Sequence, residues 1–194
     1  MVVQEYISLG HERLLSPKEA AFQPEGISWW LPHYAVVNPN KPNKVRVVFD
    51  TAAKHAGTSL IDALLKGTDF LTSLVVVLTR FRLFKVAINA DILKMFHSDR
   101  VPLSDASAFR FLWRRPGSSK PAKEYQMQVQ IFSAMSSPSV CAYALWKAAT
   151  DGGSDTTFAT TQIIYNFYVY KWLSSFHTVE EEVDAADVMS RVLK

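Results

Sequence analysis

With a single cysteine, Cys141, in 194 residues, the chain has no internal disulfide and no cysteine-based zinc cluster. Such sparing use of thiols fits a reducing compartment. Long apolar runs are also missing. The longest uncharged one, Phe70 to Thr79, lies between Asp69 and Arg80, about half the ~20 residues needed to cross a bilayer. Met1 to Gly10 has neither the basic start nor the apolar stretch of a secretory signal, so the sequence predicts an intracellular protein, cytoplasmic or nuclear, without a membrane anchor. There is no repeat or low-complexity tract, and the short Gly, Pro and Ser clusters mark loops within one domain spanning 1–194. Histidines are few and scattered. His11 and Glu12 lack the second histidine of an HExxH zinc helix, and His33, His55, His97 and His177 have no ligand spacing. With 48% hydrophobic and 20% charged residues and a net charge of +3, the composition is that of a globular chain with a sizeable core.

The small net charge conceals an asymmetry. Residues 1–40 carry 2 basic and 4 acidic groups, residues 41–123 carry 15 and 6, and residues 124–194 carry 4 and 8. The middle piece, at +9, also interleaves Phe81, Phe84, Phe96, Phe109, Phe111 and Trp113. A phosphate-backbone partner selects such a segment, and so does a plain solvated basic surface.

Local signals outline the elements. Ser16, Pro17 and Glu19 form a helix-start signal, with a short helix from Pro17. Ser28 to Val37 and Lys44 to Phe49 read as strands joined by the polar NPNKPNK turn. Helical spacing of Phe70, Leu71, Leu74, Val75, Leu78 and Phe81 after Thr68 and Asp69 predicts a helix over 70–81, followed by a buried strand from Val86 to Ala90. Tyr125, Met127, Val129 and Ile131 alternate with glutamines, so Glu124 to Phe132 is a strand, paired with Phe109 to Arg114 across the RPGSSKPAK loop. Ser137 to Thr150 reads as a helix with Ser137 as cap and Pro138 at its first position, closed at Gly152. Ile163 to Val169 and Trp172 to Phe176 read as a hairpin around Tyr170 and Lys171, and a last helix runs from Thr178 to about Val192, with Glu180 to Glu182 as favourable charge on its first turn. Strands alternating with helices indicate an α+β fold. Cys141, in a helix of Ala, Leu and Trp, reads as a buried, inert thiol.

Five segments go further. The runs LPHYAVVNPNKPNKVRVVFDTAAKHAGTSL, ADILKMFHSDRV, FRFLWR, IFSAMSSP and NFYVYKWLSS, in that order, resemble the reverse transcriptase domain of BEL/Pao-type retrotransposon polyproteins over nearly the whole chain, from about Tyr6 to Asp187. The resemblance implies a fingers subdomain (mostly about 6–85) and a polymerase-like palm (mostly about 86–187), an antiparallel sheet covered by helices, without a thumb. It also implies an ancestral RNA-directed DNA polymerase, with an RNA or DNA primer-template and a dNTP as partners, other element domains alongside, and magnesium (Mg2+) as cofactor.

Polymerase chemistry joins a primer hydroxyl to a nucleotide α-phosphate under two divalent ions, which need a cluster of carboxylates. By the resemblance, Asp91 in ADILKMF is one of these. Phe96 is the aromatic beneath the sugar of the incoming nucleotide, and Arg46 is the arginine that holds the triphosphate, assisted by Lys41 or Lys44. Asp50 is structural. Ser137 and Pro138 begin the helix that backs the nucleotide, and Ser133 stands where the family has a glycine that lets backbone approach the nucleotide.

The hairpin departs from the pattern. Where the family has Tyr-Val-Asp-Asp, this chain has Tyr168, Val169, Tyr170 and Lys171, so both aspartates are gone. A lysine about 4 Å from a divalent ion is repelled by roughly 8 kcal/mol at an effective dielectric of 20. The sequence therefore predicts no two-metal site and an ammonium of Lys171 lying near Asp91. Three readings follow: an inactive reverse-transcriptase-like fragment serving as a non-catalytic nucleic-acid-binding module, a decayed element relic without selected function, and an active polymerase with a displaced metal site.

Overall fold

The computed structural model describes residues 2–24, 27–151 and 156–193. In chain order its elements are α1 (Val2–Ser8), β1 (Glu12–Leu14), α2 (Pro17–Ala21), β2 (His33–Asn38), β3 (Lys41–Phe49), α3 (Leu60–Ala63), α4 (Leu74–Phe81), β4 (Val86–Asp91), α5 (Met95–Ser98), a 3-10 turn (Ala106–Phe109), β5 (Arg110–Trp113), β6 (Lys123–Met127), α6 (Ser137–Asp151), α7 (Thr156–Asn166), β7 (Phe167–Tyr168), β8 (Lys171–Phe176) and α8 (Val179–Val192). Helices mixed with small antiparallel sheets make this an α+β fold. No helix among the described residues is long and apolar enough to cross a membrane. Contacts divide the chain into two compact units, Met1–Leu65 with Phe96–Ser137, and Lys66–Met95 with Pro138–Lys194. Each unit is thus made of two separated stretches.

The first unit is built around the sheet β1-β6-β5 and the ribbon β2-β3. Its core stacks Phe49, Phe111 and Tyr125 with ring centroids 5.1 and 5.7 Å apart, beside buried Met127, Val129 and Ile131. α2 starts as the sequence predicts, with Ser16 Oγ accepting from Glu19 N and the Glu19 carboxylate accepting from Ser16 N. β2 begins at His33, later than expected, because the preceding residues bond elsewhere: Trp29 N donates to Ser107, Arg110 N to Trp29, and Leu31 N to Arg110. β3 in turn begins earlier, at Lys41, which leaves Pro39 and Asn40 as the turn. β6 pairs with β5 as expected but ends at Met127; beyond it Gln128 and Gln130 bond to Val101 and Asp99.

In the second unit the sheet order is β4-β8-β7. Ring stacking of Phe167 on Trp172 joins β7 to β8, and the bond from Trp172 Nε1 to Gln162 Oε1 (3.0 Å) fastens α7 to β8. Four expectations are corrected here. The helix expected over 70–81 begins only at Leu74, because Asp69 Oδ1 accepts from Leu71 N in a local turn instead of capping. β4 is not buried: it alternates half-buried Val86, Ile88 and Ala90 with exposed Ala87, Asn89 and Asp91, as an edge strand does. Ile163 to Asn166 is the end of α7 and not a strand, so the hairpin strand starts at Phe167. Ser137 is itself the first helical residue of α6, with its hydroxyl turned backward to the preceding chain. The expected stop at Gly152 lies outside the described residues. At α8, Thr178 caps Glu181 N, and the Glu181 carboxylate reaches back to His177 N.

Candidate functional site

Within the second unit, the hairpin and β4 bring Asp91 and Lys171 together. β4 and β8 pair with Asp91 directly opposite Lys171, and Ile92 N donates to Tyr170 O at 2.9 Å. This register brings Lys171 Nζ to 2.7 Å from Asp91 Oδ1, the salt bridge the sequence predicts. The two side chains are 40% and 55% exposed, so solvent screens the pair and its contribution to stability is small. The hydrogen bond that Lys171 donates to Asp91 raises the Lys171 pKa above the usual lysine value, which keeps the ammonium charged at neutral pH. Lys171 Nζ also lies 5.6 Å from the centroid of the Tyr170 ring. Among the described residues no three His, Cys, Asp or Glu side chains are grouped so that they could hold a metal ion. The donor set at the hairpin, one carboxylate already bonded to an ammonium, does not fit a pair of magnesium ions.

Tyr168 pairs with Lys171, so the turn consists of Val169 and Tyr170. The turn is thus shifted one residue back from the expected Tyr170 and Lys171, and its backbone strain falls on Val169, with φ at +56°. A β-branched residue is poorly suited to the left-handed region. Val169→Gly is expected to raise the urea midpoint, corresponding to about 1 kcal/mol, since the relief of strain outweighs the glycine entropy cost. An unchanged or lower midpoint counts against strain at this turn.

The remaining predicted residues are distributed as follows. Pro138 stands in the first turn of α6, in the second unit. Arg46 is an exposed residue of β3 in the first unit, opposite Val36 on β2, and Lys41 is exposed at the start of the same strand. Lys44 belongs to β3, but its side chain lies outside the described residues. Phe96 packs edge-on against Phe132 at 5.2 Å. Ser133 O accepts from Thr51 Oγ1 at 2.7 Å, while the Ser133 hydroxyl is buried without a partner. Its φ is outside the left-handed region, so the serine fits this backbone without strain. Ser137 is fully buried, donating from Oγ to Ile131 O at 2.7 Å and lying 3.0 Å from the Gln130 side-chain amide. Ser137 therefore anchors the entry to α6. Asp50 Oδ1 accepts from Ala52 N, a turn role that matches its structural reading. Cys141 is buried.

Two charged residues of the first unit escape the sequence reading. Arg110, 2% exposed, binds Glu124 Oε1 (3.0 Å), Phe22 O (2.7 Å) and Ser107 Oγ (3.0 Å). Glu12 is 3% exposed. Burial pushes its carboxyl up to about 8. Glu12 is flanked by His11 and Arg13 and Arg110 by Phe109 and Phe111, so no common local signal marks their burial.

No protein-family model and no curated protein matches this sequence. Among solved structures, the fold is similar to that of a foamy viral protease-reverse transcriptase dRH in complex with double-stranded DNA, with a TM-score of 0.66 and 16% identity. The match covers 99% of this chain and 28% of that one, so the chain spans little more than a quarter of its neighbour's length. The chain therefore has a reverse-transcriptase-like fold.

Proposed function

We propose that this chain is the fingers-and-palm part of a BEL/Pao-type reverse transcriptase that binds primer-template without polymerising. The observation that carries this reading is the Lys171–Asp91 salt bridge at 2.7 Å. The reaction needs two divalent cations bridging the attacking and leaving oxygens. Here a tethered ammonium neutralises the single carboxylate of β4, and magnesium is not held. In this reading Arg46, Lys41, Lys44, Phe96 and Pro138 are inherited nucleotide-binding positions, while the fully buried Ser137 and the buried Ser133 hydroxyl keep a structural part. Binding requires only positive charge and shape. It is supported by the +9 middle segment, by the exposed Arg46, Arg82, Arg114 and Arg115, and by the DNA bound to the structural neighbour.

The test uses one labelled RNA–DNA primer-template. Anisotropy should show affinity falling steeply between about 50 and 200 mM salt, with a shallower log–log slope when Arg46, Arg82, Arg114 and Arg115 are replaced by alanine. The same mixture given dNTPs with magnesium or manganese should show no extension above a protein-free control. Extension that disappears in Asp91→Asn would establish an active polymerase instead. Binding that is absent at low salt, or indifferent to salt, would favour the relic.

A further inference from the structure

Glu12 sits in β1, a three-residue strand with β6 as its sheet partner, opposite Met127, and Leu14 on the same face stands opposite Tyr125. Neither oxygen of its buried carboxyl has a hydrogen-bond partner. Strand side chains alternate between faces. Arg13 therefore points the other way, where it binds Gln126 and Glu19. The other titratable groups around this corner are Tyr6 and Glu5 of α1, Tyr125 of β6, and His11 and His97, whose rings cluster with Tyr6 at centroid distances of 5.1 to 5.9 Å. Arg100 is held by Gly10 O at 2.7 Å, and Glu124 by Arg110. None supplies Glu12 with a hydrogen bond, so the docked position accommodates the neutral acid and penalises the carboxylate.

We propose that Glu12 is a proton-linked latch for the N-terminal segment: the neutral acid lets β1 dock on β6, and ionisation favours a form in which α1 and β1 have come away while the rest of the first unit stays folded. The bonds that would open include the β1–β6 pairs, those of Arg13 to Gln126 and Glu19, Gln128 N to His11 O, Leu15 N to Glu124 O, and Arg100 to Gly10 O, together with the packing of Val3, Tyr6 and Ile7. β6 keeps β5 on its other edge, and the Phe49–Phe111–Tyr125 stack does not include β1. Opening would leave an unpaired edge on β6, a surface suited to an added strand.

Because the open segment ionises at an ordinary glutamate value and the docked one resists, each pH unit between about 5 and about 8 makes the open form about tenfold more populated. Amide hydrogen exchange of the full chain over this range, corrected for intrinsic rates, reads this out. The amides of β1 and of Gln128 should be at least about tenfold less protected than those of β5, and their protection should fall about tenfold per pH unit. Glu12→Gln should abolish the pH dependence, and Glu12→Leu should do the same if the amide proves poorly tolerated. Protection of β1 that is flat with pH, a slope retained in both variants, or equal protection of β1 and β5 would overturn the latch.

Discussion

Arg110→Ala should lower the unfolding free energy of the chain by roughly 3–5 kcal/mol, among the largest losses expected of any single substitution. The guanidinium is the hub of a buried corner. It joins the segment after α2, through the Phe22 carbonyl, to Ser107 before β5 and to Glu124 on β6. Glu124 is only 15% exposed. Removing the cation leaves that carboxylate nearly buried without its partner, and it also empties the place beside Trp30, whose ring centroid is 5.7 Å from the guanidinium carbon. Urea denaturation of Arg110→Ala and of the double variant Arg110→Met with Glu124→Leu separates the two contributions. An apolar pair should recover part of the loss, since a buried ion pair adds little over well-packed apolar residues. A single variant within about 0.5 kcal/mol of wild type, the range of ordinary surface changes, would show that the corner is not organised by Arg110.

Glu12 gives the second large effect, expressed as a pH dependence of overall stability. In the folded chain its carboxyl titrates at about 8, against an ordinary value of 4.5. Between those values the unfolded chain has lost this proton and the native chain has kept it, so stability falls as pH rises through the window and levels off above it. The accumulated loss approaches 5 kcal/mol at most, at 1.36 kcal/mol per pH unit. Glu12→Leu should remove this slope and be more stable than wild type at pH 8, with little difference near pH 4.5. Denaturation midpoints for both proteins across this range check the prediction, and parallel curves would refute it.

Short-range chemistry was the most legible part of the fold. The reciprocal bonds of Ser16 and Glu19, and the cap of Thr178 on Glu181, need only residues a turn apart. Asp91 and Lys171 could be expected near each other because the resemblance implies a hairpin turn that faces the strand end carrying Asp91. What stayed hidden depended on distant partners. The apolar run Ile163 to Val169 suits a strand or the end of a helix, and the choice falls to Gln162 and Asn166, which must sit on one helical face for Gln162 to receive Trp172 Nε1 and Asn166 Nδ2. Likewise Ser28 to Leu31 has strand-like composition, yet its partner is the region around Arg110, far along the chain. Burial of Arg110 and Glu12 could not be read from local pattern at all, because a charged residue in a strand is assigned to solvent unless its neighbours are known.

The interleaving of the two compact units also governs the order in which the chain can acquire structure during synthesis. Unit one holds its first stretch by Leu65, but β5 is complete only at Trp113 and β6 only at Met127, which a ribosome working at ~5–20 residues per second reaches roughly 3–12 s later. Until then β1 has no β6 to dock on, and until Phe111 is made Phe49 lacks its ring partner. Nascent chains of intermediate length therefore present unpaired strands to chaperones and to one another. A transcript interrupted between codons 65 and 137 yields a product lacking part of that first unit, whereas one ending just after 137 carries every residue the unit contains.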